Sequence, residues 1–363
     1  MHNTPSAASI SLFMNCERIT ALDGIRGLAI LGVVLGHGIC PIETSSSWAH
    51  AFKALISLGG YGVDIFFVLS GFLITSILLK NINASNLLLV FWLRRIARIS
   101  PLYILFLLLM YALCSIFFVE NLPSVPFWSY FFYLQNFFLV SGYKANHLGF
   151  DITWSLAIEE YFYAFFPLVL ILIPRKKILC YMIILVVLGI PFRHIIHPFL
   201  EEKYGWQGLN FLMLSGRIDQ LGLGAMLATF VVLKKTLLTQ WIRQSHVIFF
   251  SLIVAILYFF QVRDQILPAL VGFFLIGFAL NHPKGFLLCM LELRALRFLG
   301  RISYALYLIH TPLFWFAHSC TSGASEFLAV MGAAVVAVAL ATVSTKFFEE
   351  PIQRMARKVN YSS

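Results

Sequence analysis

The strongest constraint on this chain's fold recurs along its length: apolar runs of about 20 residues, parted by short polar stretches. A helix rises ~1.5 Å per residue, so ~20 apolar residues cross the ~30 Å hydrocarbon layer of a bilayer. Ten segments qualify: 19–39, 58–79, 101–119, 152–173, 178–196, 210–233, 246–261, 266–281, 300–318 and 327–346. With 60% of residues hydrophobic and 12% charged, no soluble core would need so much apolar surface. The fold class expected is an all-α polytopic membrane protein. No polar segment is long enough for a soluble domain, so residues 1–363 are expected to form one transmembrane domain with short tails, 1–18 and 347–363. The polar start lacks a basic region, an apolar run and a small-residue cleavage site in that order. The first span is therefore expected to be retained rather than removed as a signal peptide.

The apolar stretch PFWSYFFYLQNFFLV (126–140) is shorter and rich in aromatics. Counting it as a span would put PRKK (174–177) outside. Counting it as a re-entrant or interfacial piece leaves every basic cluster on one side: LRRIAR (93–98), PRKK, LKK (233–235) with Arg243, Lys284–Arg301 and the tail QRMARK. The positive-inside rule favours the second count, with ten helices and both termini in the cytoplasm of an inner-membrane protein. The same rule absorbs most of the +10 net charge, so no nucleic-acid partner is expected. The six cysteines are scattered without a CxxC, which argues against a metal or redox site. Neither a short repeat nor the halving of inverted-repeat transporters is evident.

Charge inside a membrane is costly and usually marks function. GIRGLAILGVVLGHG (24–38) carries Arg26 and His37. They are eleven residues apart, close to three turns, so they share a helix face about 16 Å apart. Asp23, three residues before Arg26, is placed to pair with it. The bland alternatives are an arginine snorkelling to the cytoplasmic interface and a histidine wetted by headgroups. In FWLRRIARIS, read as a loop helix, Arg95 and Arg98 face the same way, with Arg94 and Arg98 one turn apart. Guanidinium groups suit bidentate phosphate binding, although a topology anchor needs the same residues. In TWSLAIEEYFY (153–163), Ser155, Glu159 and Tyr163 repeat every four residues, and Glu159 lies about 10 Å from the outer end. Arg217 in GRID or His310 in YLIHTP is placed to partner Glu159, whereas Glu160 points elsewhere. GGYGVDIFFVLSGFLI (59–74) adds Asp64 and Ser70, and its glycines are read as allowing close helix approach.

Taken in order, LDGIRGLAILGVVLGHG, GGYGVDIFFVLSGF, LRRIARISPLY, TWSLAIEEYFY, RIDQLGLGAMLA, GRISYALYLIHTPL and FEEPIQR resemble the membrane-bound acyltransferase-3 family along most of the chain. Arg26 and His37 match its arginine–ten residues–histidine signature. Some members carry a C-terminal SGNH-type domain; this chain looks like the stand-alone form. The resemblance implies O-acylation of a surface glycan by an acyl-CoA donor, most simply acetyl-CoA, without a metal. It implies catalytic roles for His37, Arg26 and Glu159, and donor binding by Arg95, Arg98 and Arg26. Asp23, Asp64, Ser70, Ser155, Tyr163, Arg217 and His310 would support them, and Trp154, Tyr161 and Tyr163 could stack on sugar faces. His37 would act either as general base, its ordinary pKa near 6.5 suiting neutral pH, or as acyl carrier. The acceptor expected is a glycan or lipid-linked glycan such as lipopolysaccharide O-antigen, with exopolysaccharide, peptidoglycan or a small molecule as alternatives. Rival classes are a transporter or flippase for an anionic glycolipid, and a non-catalytic partner of a glycan assembly complex.

Overall fold

The computed structural model describes residues 19–42, 47–145, 148–206, 208–233, 242–259, 265–281, 285–322 and 324–362. The tail 1–18 with Cys16, the lysines Lys234 and Lys235 of LKK, and Lys284 lie outside the described residues. Regular structure among the described residues is entirely helical, as the long apolar runs require. In chain order the helices are α1 (Thr20–Ile39), α2 (Ser47–Ser57), α3 (Gly62–Lys80), α4 (Leu87–Phe117), α5 (Phe127–Phe131) and α6 (Gln135–Val140). There follow α7 (Thr153–Leu172), α8 (Ile178–Pro191), α9 (His197–Tyr204), α10 (Leu209–Leu212), α11 (Ile218–Val232) and α12 (Gln244–Phe259). The last are α13 (Ile266–Asn281), α14 (Phe286–Leu291), α15 (Arg294–Cys320), α16 (Ala324–Ser344) and α17 (Glu350–Arg357).

Six stretches among the described residues are long and apolar enough to cross a bilayer: Thr20–Ile39, His50–Lys80, Leu87–Phe117, Thr153–Leu172, Arg175–Tyr204 and Ser325–Arg357. The chain is a multi-pass membrane protein. The other four of the expected ten fall short of that length or apolarity among the described residues. α11, α12 and α13 have 15, 16 and 16 residues, only about 22–24 Å of helix. α15 has 27 residues but is diluted by Arg294, Arg297, Arg301, His310 and His318. The stretch 126–140 is too short to cross, being two brief helices with the left-handed Tyr133 (φ 57°) between them.

Several boundaries also move. Leu58–Tyr61 forms a 3₁₀ turn that joins α2 to α3, so most of the expected loop 40–57 is helix. π-helical turns at Phe192–Ile196 and Thr345–Glu349 carry α8 into α9 and α16 into α17. FWLRRIARIS is not a separate loop helix. It lies within the first half of the 31-residue α4, which runs on through Pro101.

The chain divides into two compact, interleaved units. The first comprises the described residues up to Leu79 with Gln220–Tyr304 and Thr321–Ala334. Glycines build its seams. A Cβ on Gly24 or Gly27 of α1 would stand 1.8 or 1.9 Å from the carbonyl oxygens of Leu291 and Leu296, and one on Gly300 would stand 1.8 Å from that of Asp23. Gly71 of α3 and Gly224 of α11 are locked the same way against Leu221 and Val68, at 2.0 and 1.9 Å. Where lipid removes the hydrophobic drive for helix pairing, such close approach supplies the association. The reading of Gly59 and Gly62 as close-approach residues holds, since they abut Gly32 and Ala29.

The second unit comprises Lys80–Asp219, Ala305–Cys320 and Val335–Ser363. Two fully buried amides pin α6 in place. Gln135 donates to the Thr153 carbonyl at 3.1 Å, and Asn136 donates to the carbonyls of Trp154 and Leu212 at 2.9 and 2.6 Å. The Trp92 indole N–H donates to the Tyr163 carbonyl at 2.9 Å, holding α4 against α7. The expected tail 347–363 is largely structured. Arg94 donates to the Val359 carbonyl at 2.7 Å and Asn86 to that of Asn360 at 3.0 Å.

Candidate functional site

In the first unit α1 is unbroken from Thr20 to Ile39, so Arg26 and His37 keep the spacing of three turns on one helix. Arg26 lies 3.8 Å from Asp23, the partner expected from the i,i+3 spacing. Asp23 is buried, Arg26 half-buried, and His37 exposed in the last turn. Asp64 is buried on α3 and accepts a hydrogen bond from Gln220 at 2.8 Å. Ser70 is half-buried on the same helix.

In the second unit the continuity of α4 changes what its arginines reach. Arg95 sits about 12 Å into that helix, not on a surface loop. Its guanidinium lies 5.8 Å from the Tyr163 ring centroid and 5.7 Å from that of Phe91. The Tyr163 hydroxyl donates to Glu159 at 2.9 Å. Glu159, Glu160, Arg98 and Tyr361 all act electrostatically on or with Arg95. Arg98 also acts on Glu349 of FEEPIQR, a carboxylate that accepts from Thr345 at 2.9 Å and Ser344 at 3.3 Å. Outside the spanning segments, burial pushes the Tyr361 hydroxyl pKa up, with the charges of Arg94 and Arg95 pulling the other way. Arg95 and the α7 carboxylates, expected at different depths, thus form one cluster, with Arg98 bridging from Arg95 to Glu349.

The Ser155–Glu159–Tyr163 stripe exists, and its far end has a partner that sequence reasoning missed. The Ser155 hydroxyl is 2.8 Å from that of Tyr307, whose ring packs 5.9 Å from His310. His310 is fully buried, its Nδ1 3.0 Å from the Leu306 carbonyl. Arg217, also buried, lies 5.2 Å over the Trp154 ring.

Two further polar pairs were not anticipated. Arg193 and Asp219, both buried, form an ion pair at the π-helical turn. Arg193 interrupts the apolar run LVVLGIPFRHII, so intramembrane charge alone was the signal that would have exposed it. One turn on, His197 Nε2 lies 2.8 Å from the Ser215 hydroxyl, a pairing with no local sequence signature. Among the described residues no three His, Cys, Asp or Glu side chains gather to hold a metal.

Membrane-length helices that hold arginines, carboxylates and histidines among apolar neighbours define a multi-pass membrane protein with charged groups inside its helices. The chain belongs to the acyltransferase-3 family: the family described as Acyltransferase domain matches residues 19–346. It is 29% identical over 370 residues to O-acetyltransferase OatA of Staphylococcus aureus (strain NCTC 8325 / PS 47), covering 94% of this chain and 58% of that protein. A putative O-acetyltransferase of Staphylococcus aureus (strain COL) is 29% identical over 327 residues, 83% of this chain and 51% of the relative. The chain thus spans about half the length of the curated relatives it matches. No solved structure matches it.

Proposed function

We propose that this chain is a membrane O-acyltransferase that moves an acetyl group from cytoplasmic acetyl-CoA to a hydroxyl of a bacterial surface polysaccharide such as lipopolysaccharide O-antigen. The observation that carries the reading is the cluster Arg95–Tyr163–Glu159: a cation, an aromatic hydroxyl and a carboxylate joined inside two membrane-length helices. Family membership and O-acetyltransferase relatives support it. In the topology proposed, ten helices cross the inner membrane with both termini cytoplasmic.

Arg95 and Arg98 grip donor phosphates, for which the guanidinium fork is suited. Arg26, kept in place by Asp23, lines the path of the donor's thioester arm. His37 takes the proton of the acceptor hydroxyl. The oxygen attacks the thioester carbonyl, the C–S bond breaks, and the departing thiolate is protonated. Glu159 orients the reacting groups, with Tyr163 and Ser155 holding the α7 stripe, Arg217 and His310 supporting it within the second unit, and Asp64 and Ser70 supporting the helices of the first.

The test is transfer of labelled acetate from acetyl-CoA to a soluble glycan by the purified protein, compared with its His37→Gln variant. Transfer by the native chain and none by the variant is the expected result. Glycolipid movement without any transfer would instead favour a flippase.

A further inference from the structure

α7 carries a second carboxyl group, Glu160, one residue off the Glu159 stripe. It lines a cavity of 590 Å³, within the ~300–1,000 Å³ typical of small-molecule sites. The walls are overwhelmingly apolar, with Phe132, Phe137, Tyr161, Phe165 and Met213 among them, and the polar side chains that reach them include Glu160 and Ser215. Glu160 Oε1 is buried and has no hydrogen-bond donor among the described residues. Ser215 is steered by its bond to His197.

One wall is fixed by unusual backbone. Tyr133, at the break between α5 and α6, has φ 57°, a conformation non-glycine residues seldom adopt. Two interactions hold it there. Its ring stacks on Tyr103 at 4.7 Å, and its carbonyl accepts from the Tyr161 hydroxyl at 2.6 Å. Strain over-determined in this way characterises ligand-holding sites.

Glu160 and Phe165 fall about 11 and 18 Å along α7, inside the hydrocarbon layer. Hydrocarbon is therefore the natural filling. A phospholipid tail alone leaves Glu160 without a donor, and no lysine or arginine is among the residues lining the cavity to hold a phosphate. We infer that this cavity binds a glycolipid, a hydrocarbon chain bearing a neutral hydroxyl-rich head whose O–H donates to Glu160. The inference rests on the glycan-acceptor reading above and names the class of acceptor: sugar presented on a lipid, held by residues of the second unit.

The probe is a diazirine-bearing dodecyl glucoside, crosslinked to the protein in nanodiscs of phosphatidylethanolamine and phosphatidylglycerol and mapped by mass spectrometry. Labels should fall within 132–137, 160–165 and 213–215. Excess dodecyl glucoside should compete; glucose and added phosphatidylglycerol should not. Glu160→Leu should weaken labelling about tenfold or more, the cost of leaving the head's donor unmet. Ala164→Trp, or Leu214→Trp from the opposite wall, should abolish it in protein that elutes as a single species. Labelling that survives both filling variants, or that phosphatidylglycerol displaces equally well, overturns the inference. The assay needs no acyl-CoA. Absent labelling beside intact transfer to a soluble glycan would sink only this inference, and labelling without transfer to either a soluble or a lipid-borne glycan would sink only the proposed activity.

Discussion

Asp219→Asn removes the negative partner of Arg193 while preserving side-chain size. The two side chains are 1% and 3% exposed, so little solvent can replace the lost charge. Two guanidinium nitrogens of Arg193, Nε and Nη1, already lack partners among the described residues, leaving little to absorb the cation once the carboxylate is gone. Breaking a buried pair from one side costs about 3–5 kcal/mol. At roughly 2–4 °C per kcal/mol for a unit of this size, the midpoint of thermal unfolding should fall by about 6–20 °C. Arg193→Met should fall by a comparable amount. The double variant Arg193→Met/Asp219→Leu should recover most of the loss, because it buries no unpaired charge. The assay is fluorescence-detected size exclusion of detergent-solubilised protein after graded heating. If either single variant stays within about 1 °C of the native chain, or the double loses the sum of the singles, the pair is not a coupled electrostatic unit.

If His37 is the base, His37→Gln should lower acetyl transfer by roughly 10²- to 10⁴-fold in folded protein, measured as labelled product per enzyme; substantial activity would make the histidine a structural helix end. Arg95→Lys with Arg98→Lys keeps both charges but loses the bidentate fork, so KM for acetyl-CoA should rise while glycan KM holds; an unchanged donor KM would return the pair to a topology anchor. Tyr163→Phe keeps the ring beside Arg95 but deletes the bond to Glu159, and the rate should drop about 2- to 12-fold. Single cysteines at Asn83 and His50 should react differently with an impermeant thiol reagent applied from outside; equal labelling would refute the proposed topology.

Local rules made part of this protein legible from the chain alone. Runs of about 20 apolar residues had to become helices, because each backbone group must find its partner within the same segment. The Asp23–Arg26 pair and the Ser155–Glu159–Tyr163 stripe followed from helical spacing, since residues three and four apart are neighbours on any helix. What spacing cannot encode is which helix faces which. Ser155 finds Tyr307 across 152 positions, and Asp64 finds Gln220 across 156. Arg193 meets Asp219, and the 126–140 segment breaks at Tyr133, only because buried side chains from distant helices close around them. Even Arg95 looked like a loop residue until α4 proved continuous through Pro101 and carried it to Tyr163. Backbone hydrogen bonding acts within one turn, so sequence determined the helices. The pairings depend on where glycine seams and clamping amides let helices meet, and only the packed structure decided those.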